Sequence, residues 1–433
     1  MRIFSTEAVD FLTSLEKILK RTGHSDRMVE ETVRTILNEV KDRGDDAIFE
    51  YTEKYEQFRL TPSTLKVKKK EIEDAFDYVD KRDIDTLKLA ADRIERFHRK
   101  QVRNSWITTE EEGILVGQVI SPIEKAGLYV PGGKASYPSS VLMSAIPAGV
   151  AGVQEVVMVT PANNGWVSPH VLIAAEIAGV NSIFKVGGAQ AIGALAWGTA
   201  TIPRVDKIVG PGNIYVACAK RLVFGKVDID MIAGPSEILI ISDGSGSPVC
   251  IAADLLSQAE HDEMAASILI TDSPDFAENV STEVFRQLED LETKTIAQSS
   301  IDNNGIIIIT RNMSEAIELA NRIAPEHLEL AIEKPFEALS RIKNAGAIFL
   351  GHTSPEAVGD YLAGPNHILP TAGTARFSSP LSVDDFTKKS SIVSFSHEAL
   401  NRVGPDVIRI ARMEGLDAHA RSVKYRMKEK ANK

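Results

Sequence analysis

Residues 155–198, EVVMVTPANNGWVSPHVLIAAEIAGVNSIFKVGGAQAIGALAWG, repeat one unit, in which a short β-branched run precedes a helical run. The runs EVVMVT and SIFK are short and end near proline or glycine, as buried strands do. The runs VLIAAEIAG and AIGALAWG are typical of buried helices. Strands that alternate with helices form parallel sheets covered by helices. This stretch therefore predicts an α/β fold.

The alternation continues through the strand pattern DKIVGPG and the helical pattern NIYVACAKRLVF. It restarts at EILIISD (237–243), after the loop DMIAGPSE, and runs through three more apolar strand patterns, SILITDS, GIIIITRN and GAIFLG. Residues 24–100 and the chain after residue 380 are charged and helically periodic. We therefore predict two α/β units with helical segments on either side.

The composition narrows the class of protein. A chain of 433 residues with 43% hydrophobic and 25% charged residues is long enough for two or more ordinary globular domains. A net charge of −11 argues against nucleic acid as a partner. Glu7 lies where a signal peptide would need an unbroken apolar core, so we expect no signal peptide. Pro147 interrupts the most apolar region, so we expect no membrane span. Cys218 and Cys250 lie in apolar helical patterns, which predicts buried thiols in a cytoplasmic protein.

The stretch RIAPEHLELAI (322–332) resembles a helix start, with Pro325 in the first turn. It places Glu326 beside His327. A carboxylate there stabilises the helix dipole, so the pair could be a capping charge with a bystander. A helix N-terminus also disfavours imidazolium, so a neutral His327 could accept a proton. These residues alone leave both interpretations open.

Glycines follow successive predicted strands in the first unit. They form three groups: Gly132-Gly133, Gly187-Gly188 and Gly210-Pro211-Gly212-Asn213. The usual dinucleotide fingerprint G-x-G-x-x-G is absent from the chain. Ligands of open α/β sheets bind at the carboxyl ends of strands, so these glycines are either tight turns or the floor of a nucleotide site.

Amide, carboxylate and imidazole side chains recur in the second half of the chain. Gln258 and His261 lie three apart on a predicted helix and hence on one face. Two later segments contribute Asp360 with His367, and Glu414 with His419. Such a mixed donor set could hold zinc and leave positions open for a substrate. Alternatively, each side chain is a hydrogen-bonded structural residue.

Five separated motifs closely resemble those of the L-histidinol dehydrogenase family: AGPSEI (233–238), QAEHDE (258–263), APEHLEL (324–330), GPNHILPT (364–371) and EGLDAHARS (414–422). The resemblance covers essentially the whole chain. It implies an enzyme that oxidises L-histidinol to L-histidine through L-histidinaldehyde in the final two steps of histidine biosynthesis. It also implies two NAD⁺ per turnover and one zinc per subunit.

The resemblance assigns roles to individual residues. The implied zinc ligands are Gln258, His261, Asp360 and His419. His327 matches the general base and Glu326 the residue that activates water. Ser236, His367 and Glu414 join His327 and the four metal ligands as implied substrate contacts. Tyr129, Gln190 and Asn213 fall where the family binds NAD.

The family fold implies two incomplete Rossmann-like domains with small helical N- and C-terminal segments. The implied bounds are 1–22 for the N-terminal segment, 23–128 with 236–380 for the metal and catalytic domain, 129–235 for the NAD domain, and 381–433 for a C-terminal dimerisation segment. The resemblance also implies an intertwined homodimer, in which the segment with Glu414 and His419 reaches the partner's site.

Three other functions are consistent with parts of this pattern. A related zinc- and NAD-dependent dehydrogenase would oxidise another small diol or amino alcohol, and its kcat/KM values would reveal this preference. A zinc hydrolase with phosphate-binding glycine loops would turn over without forming NADH. A non-catalytic dimeric binding protein would bind metal without any turnover.

Overall fold

A computed structural model describes residues 1–9, 11, 13, 15–16, 27–132 and 136–428. Gly133 and much of the expected N-terminal segment lie outside these residues. The chain divides into two compact units, one formed by Met1–Gln101 with Ile123–Phe386 and the other by Val102–Pro122 with Thr387–Lys433. None of the helices in the described ranges has the length and apolarity that a membrane crossing requires.

The strands are β1 (Arg2–Ser5), β2 (Trp106–Glu111), β3 (Ile114–Pro122), β4 (Lys125–Tyr129), β5 (Glu155–Thr160), β6 (Ser182–Lys185), β7 (Lys207–Val209), β8 (Asp228–Ile229), β9 (Glu237–Ser242), β10 (Ala266–Thr271), β11 (Ile306–Ile309), β12 (His327–Ala331), β13 (Ala347–Leu350) and β14 (Thr387–Phe395).

The helices are α1 (Arg27–Arg43), α2 (Asp45–Glu56), α3 (Pro62–Leu65), α4 (Lys69–Tyr78), α5 (Lys81–Arg99), α6 (Pro138–Ala151), α7 (Pro169–Ile177), α8 (Gly188–Trp197), α9 (Ile214–Val223), α10 (Pro248–Ala259), α11 (Pro274–Leu288), α12 (Lys294–Asn304), α13 (Met313–Ile323), α14 (Pro335–Leu339), α15 (Glu356–Val358), α16 (His397–Met413) and α17 (Asp417–Lys428).

The first unit contains two parallel sheets, with strand orders β6-β5-β4-β7-β8 and β1-β11-β10-β9-β12-β13. From β4 in the first sheet and from β9 in the second, the chain winds outward to one side and then returns to the other side. This is the doubly wound arrangement of Rossmann-like folds, with switch points between β4 and β7 and between β9 and β12. Strand β1 adds an edge strand beside β11 in the second sheet. The predicted α/β class is confirmed.

Alternating residues of the strands enter different cores. On β5, Val156 and Met158 pack in one apolar cluster, while Val157 and Val159 pack in another. A period of two places successive side chains on opposite faces of a sheet. Both faces of the sheet are therefore covered, which explains why its strands are continuously apolar.

The predicted helix start at residues 322–332 is wrong. Helix α13 ends at Ile323, Ala324 adopts a left-handed φ of 53°, and β12 begins at His327. Proline is favoured both in a first helical turn and shortly after a helix end, and Pro325 here follows a helix end. Strand β12 pairs with β9 and β13, so it is an inner strand and all five of its residues are buried.

The second unit consists of an antiparallel sheet and a helical hairpin. Strand β3 lies between β2 and β14, with Ile392 opposite Gly117. Helix α16 packs on α17, where Gly404 leaves room for the Met427 side chain. The chain after residue 380 is thus not wholly helical, because the run TKKSSIVSF forms strand β14.

Candidate active site

Two inner strands of the second sheet begin side by side and place four residues at one edge. Strand β9 begins at Glu237 and β12 begins at His327, with His327 paired to Ile238. Ser236 and Glu326 immediately precede these strands. In parallel strands the first residues share the amino edge of the sheet. This cluster therefore lies opposite the carboxyl edge, where open α/β sheets usually bind ligands.

The side chain of His327 is 5% exposed and is surrounded by acidic groups. Its Nδ1 atom lies 3.2 Å from the Glu237 carbonyl oxygen, 3.6 Å from Glu356 Oε1 and 3.8 Å from Glu326 Oε2. A carbonyl oxygen can only accept, so this contact places the proton of the neutral ring on Nδ1 and the lone pair on Nε2. The buried Nε2 has no hydrogen-bond partner and lies 3.6 Å from Asp360 Oδ1.

These neighbours, not a helix dipole, control the protonation of His327. Burial lowers the pKa of the ring, but the negative charges of Glu356, Glu326 and Asp360 outweigh it and raise the pKa to about 10. The predicted preference for a neutral ring at a helix N-terminus is therefore wrong for the protein without a cation. A cation bound to the neighbouring carboxylates would lower this pKa.

Glu326 is buried beside the ring and is fixed by the backbone. Its Oε2 atom accepts from the Glu237 N–H at 2.8 Å. Burial raises the pKa of Glu326 to about 8, against the opposing effects of His327 and this N–H. A carboxylate with such a pKa can accept a proton near neutral pH.

A set of potential metal ligands lies next to this pair. His261, Glu356 and Asp360 present ligand atoms that all lie within 4.8 Å of one another. Gln258 is 1% exposed, and its amide nitrogen, oriented to satisfy its neighbours, donates to Glu356 Oε1 at 3.3 Å. The buried Glu356 Oε2 has no hydrogen-bond partner. A buried oxygen of this kind beside imidazole and carboxylate donors fits a divalent cation such as zinc.

Local structure explains how these ligands meet. Helix α10 ends at Ala259, so Gln258 lies in its last turn and His261 lies beyond it. The two residues are therefore connected by a turn. The prediction that they lie on one face of a helix is wrong. Glu356 lies in α15, which continues into a π-helical turn containing Asp360. Such turns are frequent at functional sites.

His367 links this set to the first sheet. Its Nδ1 atom lies 3.0 Å from the Asp360 carbonyl oxygen, and its Nε2 atom lies 3.4 Å from Ser140 Oγ. Ser140 belongs to the first turn of α6, the helix that follows β4. His367 thus connects Asp360 to the first turn of α6.

The carboxyl edge of the first sheet has the narrow turns of a nucleotide site. The hydroxyl of Tyr129, the last residue of β4, accepts from the Gly188 N–H at 3.1 Å. A Cβ on Gly210 would lie 2.1 Å from the Tyr129 carbonyl oxygen, so only glycine fits there. Gln190 is buried in α8. Asn213 is exposed, and its side-chain oxygen caps α9. The Gly210 loop follows β7 at the switch point between β4 and β7, and the Gly188 N–H after β6 reaches Tyr129 at the end of β4, which fits a dinucleotide.

The comparisons with known proteins agree throughout the chain. A family model described as histidinol dehydrogenase matches residues 19–427. The histidinol dehydrogenase of Geobacter sulfurreducens is 59% identical over 429 residues, which cover 99% of this chain and 100% of the relative. That of Clostridium acetobutylicum is 52% identical, with 99% of each chain covered. The chain belongs to the histidinol dehydrogenase family.

A solved histidinol dehydrogenase has the same fold. The crystal structure of the enzyme from Elizabethkingia anophelis matches with a TM-score of 0.93 at 37% identity, covering 99% of this chain and 98% of that chain. Enzymes of the histidinol dehydrogenase family catalyse the final steps of histidine biosynthesis, and histidinol is their substrate. The resemblance drawn from the five motifs is confirmed, and the protein is an oxidoreductase.

The structure brings together six of the twelve residues expected for a histidinol dehydrogenase site. In the first unit, Gln258, His261, Glu326, His327, Asp360 and His367 form the connected set described above. Glu414 and His419 are exposed and belong to the second unit, Glu414 following α16 and His419 within α17.

Two further features differ from the sequence predictions. Glu356 was missed, although it lies four residues before Asp360, a spacing that puts two side chains on one helix face. Cys218 is buried as predicted. Cys250 is exposed, contrary to the prediction, because it lies in the first turn of α10 on the side away from the core.

Proposed function

We propose that the protein catalyses the zinc-dependent oxidation of L-histidinol to L-histidine through L-histidinaldehyde. The overall reaction converts one alcohol, one water and two NAD⁺ into one carboxylate, two NADH and three protons. Within the family, the observation that supports this most directly is the unpartnered, buried Nε2 of His327 beside Asp360.

The proposed metal ligands from this chain are Gln258, His261 and Asp360. Their donor types and the orphaned oxygen of Glu356 support this assignment. When bound, zinc would supply the positive charge that holds and polarises the substrate, and NAD⁺ would accept hydride. The protein's own contribution is the position of its bases around the substrate.

His327 is the proposed base for the alcohol. Its Nδ1–H is directed at the Glu237 carbonyl oxygen, so Nε2 is the atom that accepts the hydroxyl proton. The imidazolium formed in this way lies beside the carboxylates of Glu356 and Glu326, which stabilise its charge.

Glu326 is the proposed base for the second oxidation. Its carboxylate is fixed by the Glu237 N–H, and burial raises its pKa to about 8. It removes a proton from the water that adds to the aldehyde, and His327 can then act again on the resulting hydrate. Two adjacent bases suit one reaction on an alcohol and another on water.

The remaining assignments complete the proposed site. Tyr129, Gln190 and Asn213 would contact NAD⁺, and Ser236 and His367 would contact the substrate. We also propose a homodimer in which the partner subunit's His419 and Glu414 complete the site. Both lie exposed in the second unit, which supports their availability to another chain.

We also propose a cytoplasmic location. Cys218 and Cys250 form no disulfide, which agrees with a reducing compartment.

The decisive experiment counts products. Purified protein is incubated with L-histidinol and NAD⁺, and NADH is measured against the histidine formed. The expected ratio is two, and removal of metal by chelation should abolish turnover until zinc is returned. One NADH per histidinol consumed, with aldehyde and no histidine as the product, or turnover without NADH would contradict the proposed function.

A further inference from the structure

A carboxylate lies at the carboxyl ends of two strands of the first sheet. Glu56 is the last residue of α2. Its Oε1 atom accepts from the Gly187 N–H at 3.1 Å, and its Oε2 atom accepts from the Ala162 N–H at 3.3 Å. Gly187 follows β6 and Ala162 follows β5. One side chain thus occupies the backbone donors of two loops at the edge proposed to bind NAD⁺.

The strand order indicates which group of a dinucleotide this position would contact. Starting from β4, the chain forms β5 as its second strand and β6 as its third. In dinucleotide-binding sheets of this order, an acidic residue after the second strand binds the hydroxyls of the adenosine ribose. Residues 161–167, PANNGWV, follow β5 here and contain no acidic residue. Glu56 supplies a carboxylate at that place from another part of the chain.

The surroundings hold this carboxylate in position. A Cβ on Gly187 would lie 2.7 Å from Pro161 Cβ and 3.2 Å from Glu56 Oε1, so the loop needs glycine beside the carboxylate. The neighbouring Gly188 N–H donates to Tyr129, a proposed NAD⁺ contact. Burial raises the pKa of Glu56 above its ordinary value, and the two N–H donors oppose this rise.

We propose that Glu56 determines the choice of dinucleotide, by accepting hydrogen bonds from the adenosine ribose hydroxyls of NAD⁺ and repelling the 2′-phosphate of NADP⁺. This assignment rests on the proposed NAD⁺ site. Two hydroxyls can donate to the remaining lone pairs of the carboxylate, whereas a phosphate placed there would meet a like charge.

The test compares Glu56→Gln, Glu56→Asp and, as a matched control, Glu53→Gln on the exposed face of the same helix. At pH 8, kcat/KM for NAD⁺ and NADP⁺ is measured with saturating histidinol. Dissociation constants of both dinucleotides are measured by calorimetry without histidinol. We expect Glu56→Gln to raise the NADP⁺/NAD⁺ ratio of both quantities about tenfold or more, the equivalent of one lost like-charge contact of about 1.4 kcal/mol.

The outcomes are distinguishable. Glu56→Asp should retain most of the preference because it keeps the charge, and Glu53→Gln should keep all of it. If Glu56→Gln weakens both dinucleotides by the same factor, Glu56 only fastens the two loops and the assignment is overturned. A wild-type protein that neither binds nor reduces NAD⁺ would overturn the proposed function, and this assignment with it.

Discussion

The Nδ1 atom of His327 lies 3.2 Å from the carbonyl oxygen of Glu237, at the adjoining first residues of β12 and β9. This contact fixes the ring tautomer and leaves Nε2 as the proton acceptor. Replacement of His327 by glutamine should therefore lower kcat for histidinol oxidation by about 10²- to 10⁴-fold. Stopped-flow measurement of the first NADH formed checks this. A variant with a near wild-type rate would show that His327 is not the base.

Glu326→Gln should separate the two oxidations. A glutamine oxygen can still accept from the Glu237 N–H, so the local structure should persist, but the base for water is lost. We expect the oxidation of histidinaldehyde to fall about 100-fold and that of histidinol by less than about tenfold. The exposed Glu333→Gln serves as a control. Equal losses in both half-reactions would contradict the division of roles between the two bases.

The proposed shared site can be tested with mixed subunits. His261→Asn and His419→Asn dimers should each be inactive, because each lacks one proposed metal ligand. A hybrid dimer would contain one site with both changes and one intact site, so a random mixture should recover about a quarter of wild-type activity. If the mixture recovers none although hybrids form, His419 serves its own chain.

His98 should make stability depend on pH. It is fully buried, with Nδ1 2.8 Å from the Ile94 carbonyl oxygen and Nε2 3.4 Å from the Asn366 side-chain nitrogen. Burial lowers the pKa of His98 below its ordinary value of 6.5. Below pH 6.5 the unfolded chain therefore binds more protons, and stability decreases as the pH falls.

Urea unfolding at several pH values tests this expectation in the wild type and in His98→Gln. His98 should contribute to the slope between its lowered folded-state pKa and pH 6.5, with an upper limit of about 1.4 kcal/mol per pH unit. The variant should be less stable at pH 7.5 but should lose less stability on acidification. Parallel pH dependences would show that His98 keeps its ordinary pKa when folded.

The parallel sheets could be predicted because their strands are short, continuously apolar and bounded by glycine or proline. EVVMVT and EILIIS became β5 and β9, as their patterns indicated. β12 was mistaken for a helix because Pro325 precedes it, and because its residues HLELA lack the continuous apolar run of the other inner strands although all five are buried. A strand that carries buried acid–base groups loses the apolar signal by which inner strands are recognised.

The site could be predicted only in part, because its residues come from distant segments. The motifs marked Gln258, His261 and Asp360, but nothing local showed that they would meet. Glu356 and Glu56 have ordinary sequence surroundings, and their significance comes from tertiary contacts with His327 and with the Gly187 loop. Such contacts depend on the sheet order, which the sequence pattern does not specify.

The central claim is that one divalent cation lies between His261 and Asp360, next to the free Nε2 of His327. The most direct test is a crystal of zinc-loaded protein measured at the zinc absorption edge. We predict an anomalous peak about 2.0–2.2 Å from a His261 ring nitrogen and from an Asp360 carboxylate oxygen. A peak bound elsewhere, or no peak in protein that turns over histidinol with NAD⁺, would contradict the claim.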